Sequence, residues 1–136
     1  MPLDAQPYRE IEDLYIAGTQ MRLRKIESKG SKAIFKLCKK YGKASALSEP
    51  VTNLYLSEAE HGLLSRQLSG SVLRKRRYSV AGGALDIYAG HNAVALFEVE
   101  FRSEAEAQSY VAPTFVGQEV TGYEAYSGAA LASAGA

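Results

Sequence analysis

Several stretches of this chain alternate apolar and polar residues with a period of two, the pattern of a strand half-buried in a sheet. Residues 8–16 (YREIEDLYI) are rich in β-formers and stop at Ala17-Gly18-Thr19, a turn signal. Residues 20–27 (QMRLRKIE) put Met21, Leu23 and Lys25 on one side and Arg22, Arg24 and Ile26 on the other. Ser28-Lys29-Gly30-Ser31 reads as a hairpin turn, after which residues 33–41 alternate again, with Phe35 and Leu37 against Lys36, Cys38 and Lys40. A loop over 43–50 leads to a short strand at 51–56. Ser57 predicts a helix N-cap, and Glu58 and Glu60 suit the positive end of the helix dipole. Leu63, Leu64 and Leu68 keep helical spacing until Ser69-Gly70. Residues 71–79 predict a strand and Gly82-Gly83 a turn, with further strands at 84–88 and 93–101 joined across Gly90-His91-Asn92. A second Ser-Glu-x-Glu opening predicts a helix from Ser103 to about Tyr110. Pro113 and Gly117 then break the chain, 118–121 reads as extended, and 124–134 as a weak Ala-rich helix with a tail from 128 expected to fray.

Hairpins with one or two inserted helices make an α+β fold dominated by an antiparallel sheet, in a single domain over 1–136. At 136 residues the chain can bury a core without a disulfide staple. A formal net charge of +1 gives no global pull towards nucleic acid. No stretch approaches eighteen apolar residues, so no transmembrane helix is expected, and the N-terminus lacks the layout of a secretory signal. With Cys38 as the one cysteine, an intramolecular disulfide is impossible, and a reducing, cytoplasmic location is the expectation. Cys38 itself reads as a small buried filler, and His61 and His91 as surface residues. The oligomeric state stays open, a dimer included.

Local charge changes this picture. Arg22 and Arg24 share a face of one strand, and Lys36 and Lys40 a face of the next. On 71–79 alternation allows either Lys75 with Arg77 or Arg74 with Arg76. Glu98 and Glu100 share a face opposite Phe97, Val99 and Phe101. A solvated polar face explains any one of these strands. Like charge repeated over three strands repels itself, however, and a bound polyanion would relieve the repulsion. Arg and Lys would grip phosphate oxygens by charge-assisted hydrogen bonds, and paired carboxylates could hold a hard divalent cation.

The segments RLRKIE (22–27), FKLCKKYG (35–42), VTNLYLSEAE (51–60), LRKRRY (73–78), LDIYAG (85–90), LFEVEF (96–101) and PTFVGQEVT (113–121), followed by Tyr126 and Leu131-Ala132, resemble the CYTH superfamily of triphosphate tunnel metalloenzymes, named for class IV adenylate cyclase and thiamine triphosphatase. The resemblance covers about residues 8–133. It implies an eight-stranded antiparallel barrel, or tunnel, with a few peripheral helices and an interior that binds triphosphate. By that resemblance the phosphate-binding residues are Arg22, Arg24, Lys36, Lys40, Lys75 and Arg77, which points Lys75 and Arg77 inward. Mg²⁺ or Mn²⁺ would be held by Glu98, Glu100 and Asp86, with Glu119 at a further acidic position of the pattern that reads more readily as structural. The family's E-x-E-x-K strand is the departure. Glu10-Ile11-Glu12 looks like its start, but Leu14 stands where the lysine belongs, on the strand just before Arg22. The expectation is a chain lacking that first strand and the metal ligands it carries, with an open barrel or an unpaired edge.

Two functions follow as expectations. One is divalent-metal-dependent hydrolysis of inorganic triphosphate or an organic triphosphate. The other is a module that binds polyphosphate or nucleotide without turnover, which the missing strand favours. A late start of the chain is the plainer account of the same departure. No feature marks a base site for cyclase chemistry, and neither nucleic acid nor membrane is an expected partner.

Overall fold

The computed structural model describes residues 6–42, 50–89, 95–99, 101, 103–112 and 130–132. Its strands are β1 (Tyr8–Ile16), β2 (Met21–Ser28), β3 (Ile34–Lys40), β4 (Val51–Leu56), β5 (Gly70–Val80), β6 (Gly83–Tyr88) and β7 (Ala95–Glu98), with helices α1 (Glu58–Gln67) and α2 (Glu104–Ser109). All seven strands form one antiparallel sheet in the order β4-β3-β2-β1-β5-β6-β7. Among the described residues the sheet does not close, and β4 and β7 are its edges. No described helix is long and apolar enough to cross a membrane.

The β1–β2 hairpin sets the register that matters most. It places Asp13 opposite Arg24 and Tyr15 opposite Arg22. β1 also pairs with β5, which returns after α1 and puts Lys75 beside Ile11 and Leu73 beside Asp13. The turn between β5 and β6 is Ala81-Gly82, one residue earlier than the Gly82-Gly83 expected, and both residues have positive φ. Two left-handed residues in a two-residue loop match the right-handed twist of a hairpin.

The strand expected over 93–101 is shorter: β7 ends at Glu98, and the Phe101 ring instead packs edge-on against Tyr110. Leaving the ladder early lets the chain turn into α2, which Ser103 caps by accepting from Glu106 N–H. Helix α1 starts with a full capping box: Ser57 Oγ accepts from Glu60 N–H at 3.1 Å, and the Glu60 carboxylate accepts from Ser57 N–H at 2.7 Å. No residue of α1 is buried, and Leu63 is exposed, so the leucine spacing does not mark a core helix. The helix leans on the sheet through His61, whose ring sits 4.9 Å from Phe35; the histidine is half-buried rather than free on the surface. The expected loop at 43–50 lies, apart from Pro50, outside the described residues, as do His91, the extended piece at 118–121 and all but 130–132 of the terminal helix.

Candidate anion-binding site

Strand alternation sorts the charged residues between two faces. One face carries Asp13 and Tyr15 of β1, Arg22 and Arg24 of β2, and Lys36, Cys38 and Lys40 of β3. It continues with Lys75 and Arg77 of β5, Asp86 of β6 and Glu98 of β7. Every described residue of the candidate phosphate- and metal-binding sets thus shares this cationic face. Glu100 and Glu119 lie outside the described residues. Arg74 and Arg76 point the other way and pair in the open with Glu12 and Glu10.

The cations of this face divide into two groups. Arg24 is 3% exposed and meets Asp13, 0% exposed, in a two-pronged pair: Nε and Nη2 each donate to a carboxylate oxygen at 2.7 Å. Asp86, also 0% exposed, answers two cations: Lys75 Nζ at 2.9 Å, and Arg77 through Nε and Nη2 at 2.7 and 2.8 Å. Burial works to raise the Asp86 carboxyl, but the Arg77 hydrogen bonds and the charges of Lys75 and Arg77 hold it below its ordinary value. The same hydrogen bonds raise Arg77 against the effect of burial, with a further push from the charge of Glu98. Lys75 is lowered by burial and by Arg77 and Arg24, against the pull of Asp86.

The second group has no carboxylate partner among the described residues: Arg22, Lys36 and Lys40, and the exposed Arg9 at the start of β1, opposite Arg77. Arg22 lies beside the Tyr15 phenol, and its Nε is a buried donor with no acceptor among the described residues. Burial acts to lower the guanidinium, yet the charge of Asp13 and the contact with Tyr15 outweigh it and raise the pKa. Lys36 is lowered by burial and by its neighbours Arg24 and Arg22, and its Nζ sits 5.9 Å from the centre of the exposed Tyr55 ring. Cys38 is buried, opposite Arg22 and between Lys36 and Lys40 along β3.

An apolar cluster shares this face with the charges. Leu73 and Tyr88 pack with Leu131 and Ala132, joined by the half-buried Tyr15 and Leu96. Residues 130–132 are helical and so seat against the cationic face beside Tyr15. A hollow of about 290 Å³ opens on the opposite face between α1 and the sheet, lined by Glu12, Leu14, Leu23 and His61 among others. It holds no cluster of cations.

Sequence reading did not single out Asp13 or Tyr15. The signal was present, because a hairpin turning at Gly18 sets Asp13 against Arg24 and Tyr15 against Arg22. Their role depends on a pairing register rather than on any motif.

A divalent cation needs several hard oxygen ligands. Among the described residues no three of His, Cys, Asp and Glu converge on one point. Both Asp86 oxygens already accept from Lys75 and Arg77, and Glu98 is exposed at the sheet edge. The described residues therefore do not by themselves fit a Mg²⁺ or Mn²⁺ site.

No family model matches the chain. It is similar to an inorganic triphosphatase of Nitrosomonas europaea, 35% identical over 92 residues, a match that spans 63% of this chain and 61% of that relative's length. Among solved structures, the crystal structure of the hypothetical protein NE1496 superposes with a TM-score of 0.54 at 26% identity, covering 93% of this chain and 84% of that one. The crystal structure of the inorganic triphosphatase NE1496 gives 0.54 at 27% identity, covering 93% and 81%. The chain is thus a homologue of inorganic triphosphatase NE1496, a protein of the CYTH, or triphosphate tunnel metalloenzyme, family.

Proposed function

We propose that this chain binds a small polyphosphate, inorganic triphosphate before organic triphosphates, on the cationic face. The observation that carries this is Arg22 with Lys36: two cations drawn partly out of water, without a carboxylate partner among the described residues, one of them with a buried donor left unpaired. A buried unsatisfied donor costs about 1–3 kcal/mol, and an anionic oxygen placed there would recover it. Lys40 extends the charge along β3. Tyr15 holds one side of the Arg22 side chain and leaves Nε for the ligand, while Asp86 keeps Lys75 and Arg77 charged and in place behind it.

Calorimetric titration with tripolyphosphate tests this reading. Arg22→Gln is expected to weaken binding about 10- to 100-fold, the worth of one or two charge-assisted hydrogen bonds. Equal affinity in wild type and Arg22→Gln would remove Arg22 from the site, and no binding at millimolar ligand would remove the function.

The second reading is turnover, and kinship with an inorganic triphosphatase favours it. Arg22, Lys36 and the β5 cations would then also stabilise charge on the transferring phosphoryl oxygens. Phosphate release from tripolyphosphate, measured with Mg²⁺, with Mn²⁺ and with chelator, separates the two readings. Binding with no release in any of these conditions leaves binding alone. Release that chelator abolishes, and that Glu98→Gln/Glu100→Gln lowers, supports hydrolysis; equal rates in the variant would sink the metal role of those glutamates.

A further inference from the structure

Asp13 sits in the middle of the cationic face, paired across the sheet with Arg24 on one side and Leu73 on the other. Its carboxylate is out of solvent and fills the fork of the Arg24 guanidinium, accepting from Nε and Nη2 at 2.7 Å each. Chemically this is what one edge of a phosphate would do: two anionic oxygens spaced to take two parallel N–H groups. The match is one to one, so Asp13 cancels the charge of its partner. Asp86 differs, because one carboxylate there answers two cations and leaves net positive charge. The field of Asp13 also reaches past Arg24, acting on Arg22 and Lys36.

Resting on the reading that this face takes a polyphosphate, we infer that Asp13 is a built-in competitor of the ligand, which occupies Arg24 and thereby sets the affinity of the face. Polyphosphate binding is then an exchange. The arriving oxygens meet Arg22 and Lys36 directly but must contend with Asp13 for Arg24, and they feel its repulsion throughout. Removing the charge of Asp13 while keeping its shape strengthens binding. A merely structural residue behaves in the opposite way, since its loss weakens the site.

The test is titration of tripolyphosphate, at one fixed salt concentration, into wild type, Asp13→Asn and the double variant Asp13→Asn/Arg24→Gln. Asn keeps an oxygen that accepts from Arg24 and drops the charge. Asp13→Asn is expected to bind at least about tenfold more tightly than wild type, about 1.4 kcal/mol. The double variant, with the freed charge removed again, is expected to lose that gain. Unchanged or weaker binding by Asp13→Asn, or a gain that survives in the double variant, overturns the inference. Should Asp13→Asn be unfolded alone, millimolar tripolyphosphate must restore its cooperative thermal transition, because the ligand supplies the missing anion. Failure to do so, with wild type binding normally, overturns it equally. Absence of binding in wild type as well sinks the polyphosphate reading of the face, a result distinct from the others.

Discussion

On one face of β1, Glu10 and Glu12 meet Arg76 and Arg74 in the open; on the other, one residue along, Asp13 meets Arg24 with both side chains out of solvent. The bonds are nearly the same length, 2.8 and 2.9 Å outside and 2.7 Å inside. Their surroundings differ. Outside, the pairs lie in high dielectric and are screened by salt, so they contribute little. Inside, each charge has lost its hydration, and its partner is what makes the position tenable. On the exposed face Glu10, Glu12 and Glu27 each pair with a neighbouring cation. The buried one leaves Arg22, Lys36 and Lys40 without carboxylates among the described residues, and that imbalance is a feature solubility does not require.

The largest break in this comparison is expected at Asp86. Replacing it with Ala leaves Lys75 and Arg77 buried or half-buried without the carboxylate that bonds them both, a loss of about 3–5 kcal/mol in denaturant unfolding with the slope unchanged. A loss under about 1 kcal/mol would mean that water reaches this cluster, and the two faces would cease to differ. The pH dependence has a definite sign. The folded-state pKa of Asp86 lies below its ordinary value, so its contribution is full above the unfolded value near 3.9 and is lost as pH falls through the folded one. Asp86→Asn should therefore flatten part of the acid limb of the stability profile while lowering stability at neutral pH.

Much of the cationic face could be read from the sequence because strands keep a strict period. Arg22 with Arg24, and Lys36 with Lys40, share a face as soon as 21–28 and 34–40 are strands. What could not be read was compensation. Whether Arg24 is free or matched depends on which residue of β1 lies opposite, and in the region 71–79 alternation alone left Lys75 with Arg77 and Arg74 with Arg76 equally open. Tertiary pairing decides: Asp86 crosses from β6 to the Lys75–Arg77 side, while Glu10 and Glu12 wait on the other. Helical spacing of the leucines located α1 but could not say how deeply it sits: none of its residues is buried.

A smaller effect separates the helix from the sheet. Ser57→Ala removes one half of the capping box and is expected to cost about 1 kcal/mol. Anion affinity should not change, because Ser57 and α1 lie away from the cationic face. A change in tripolyphosphate affinity would show that α1 is coupled to the site through Phe35 and β3.

The smallest effect sharpens the comparison most. A double-mutant cycle on Arg74 and Glu12, with Arg74→Ala and Glu12→Ala singly and together, is expected to give a coupling below about 1 kcal/mol that shrinks as salt is added. Arg74 and Glu12 side chains are 64% and 44% exposed, so water already serves both charges when either partner is gone. This pair joins β1 and β5, strands whose other face carries Asp13, Lys75 and Arg77 of the buried pairs. A coupling as large as that expected at Asp86 would place the difference in strand geometry rather than in desolvation. The unmatched charge of Arg22 and Lys36 would then have to be explained by geometry too, and the case for a polyanion on that face would weaken with it.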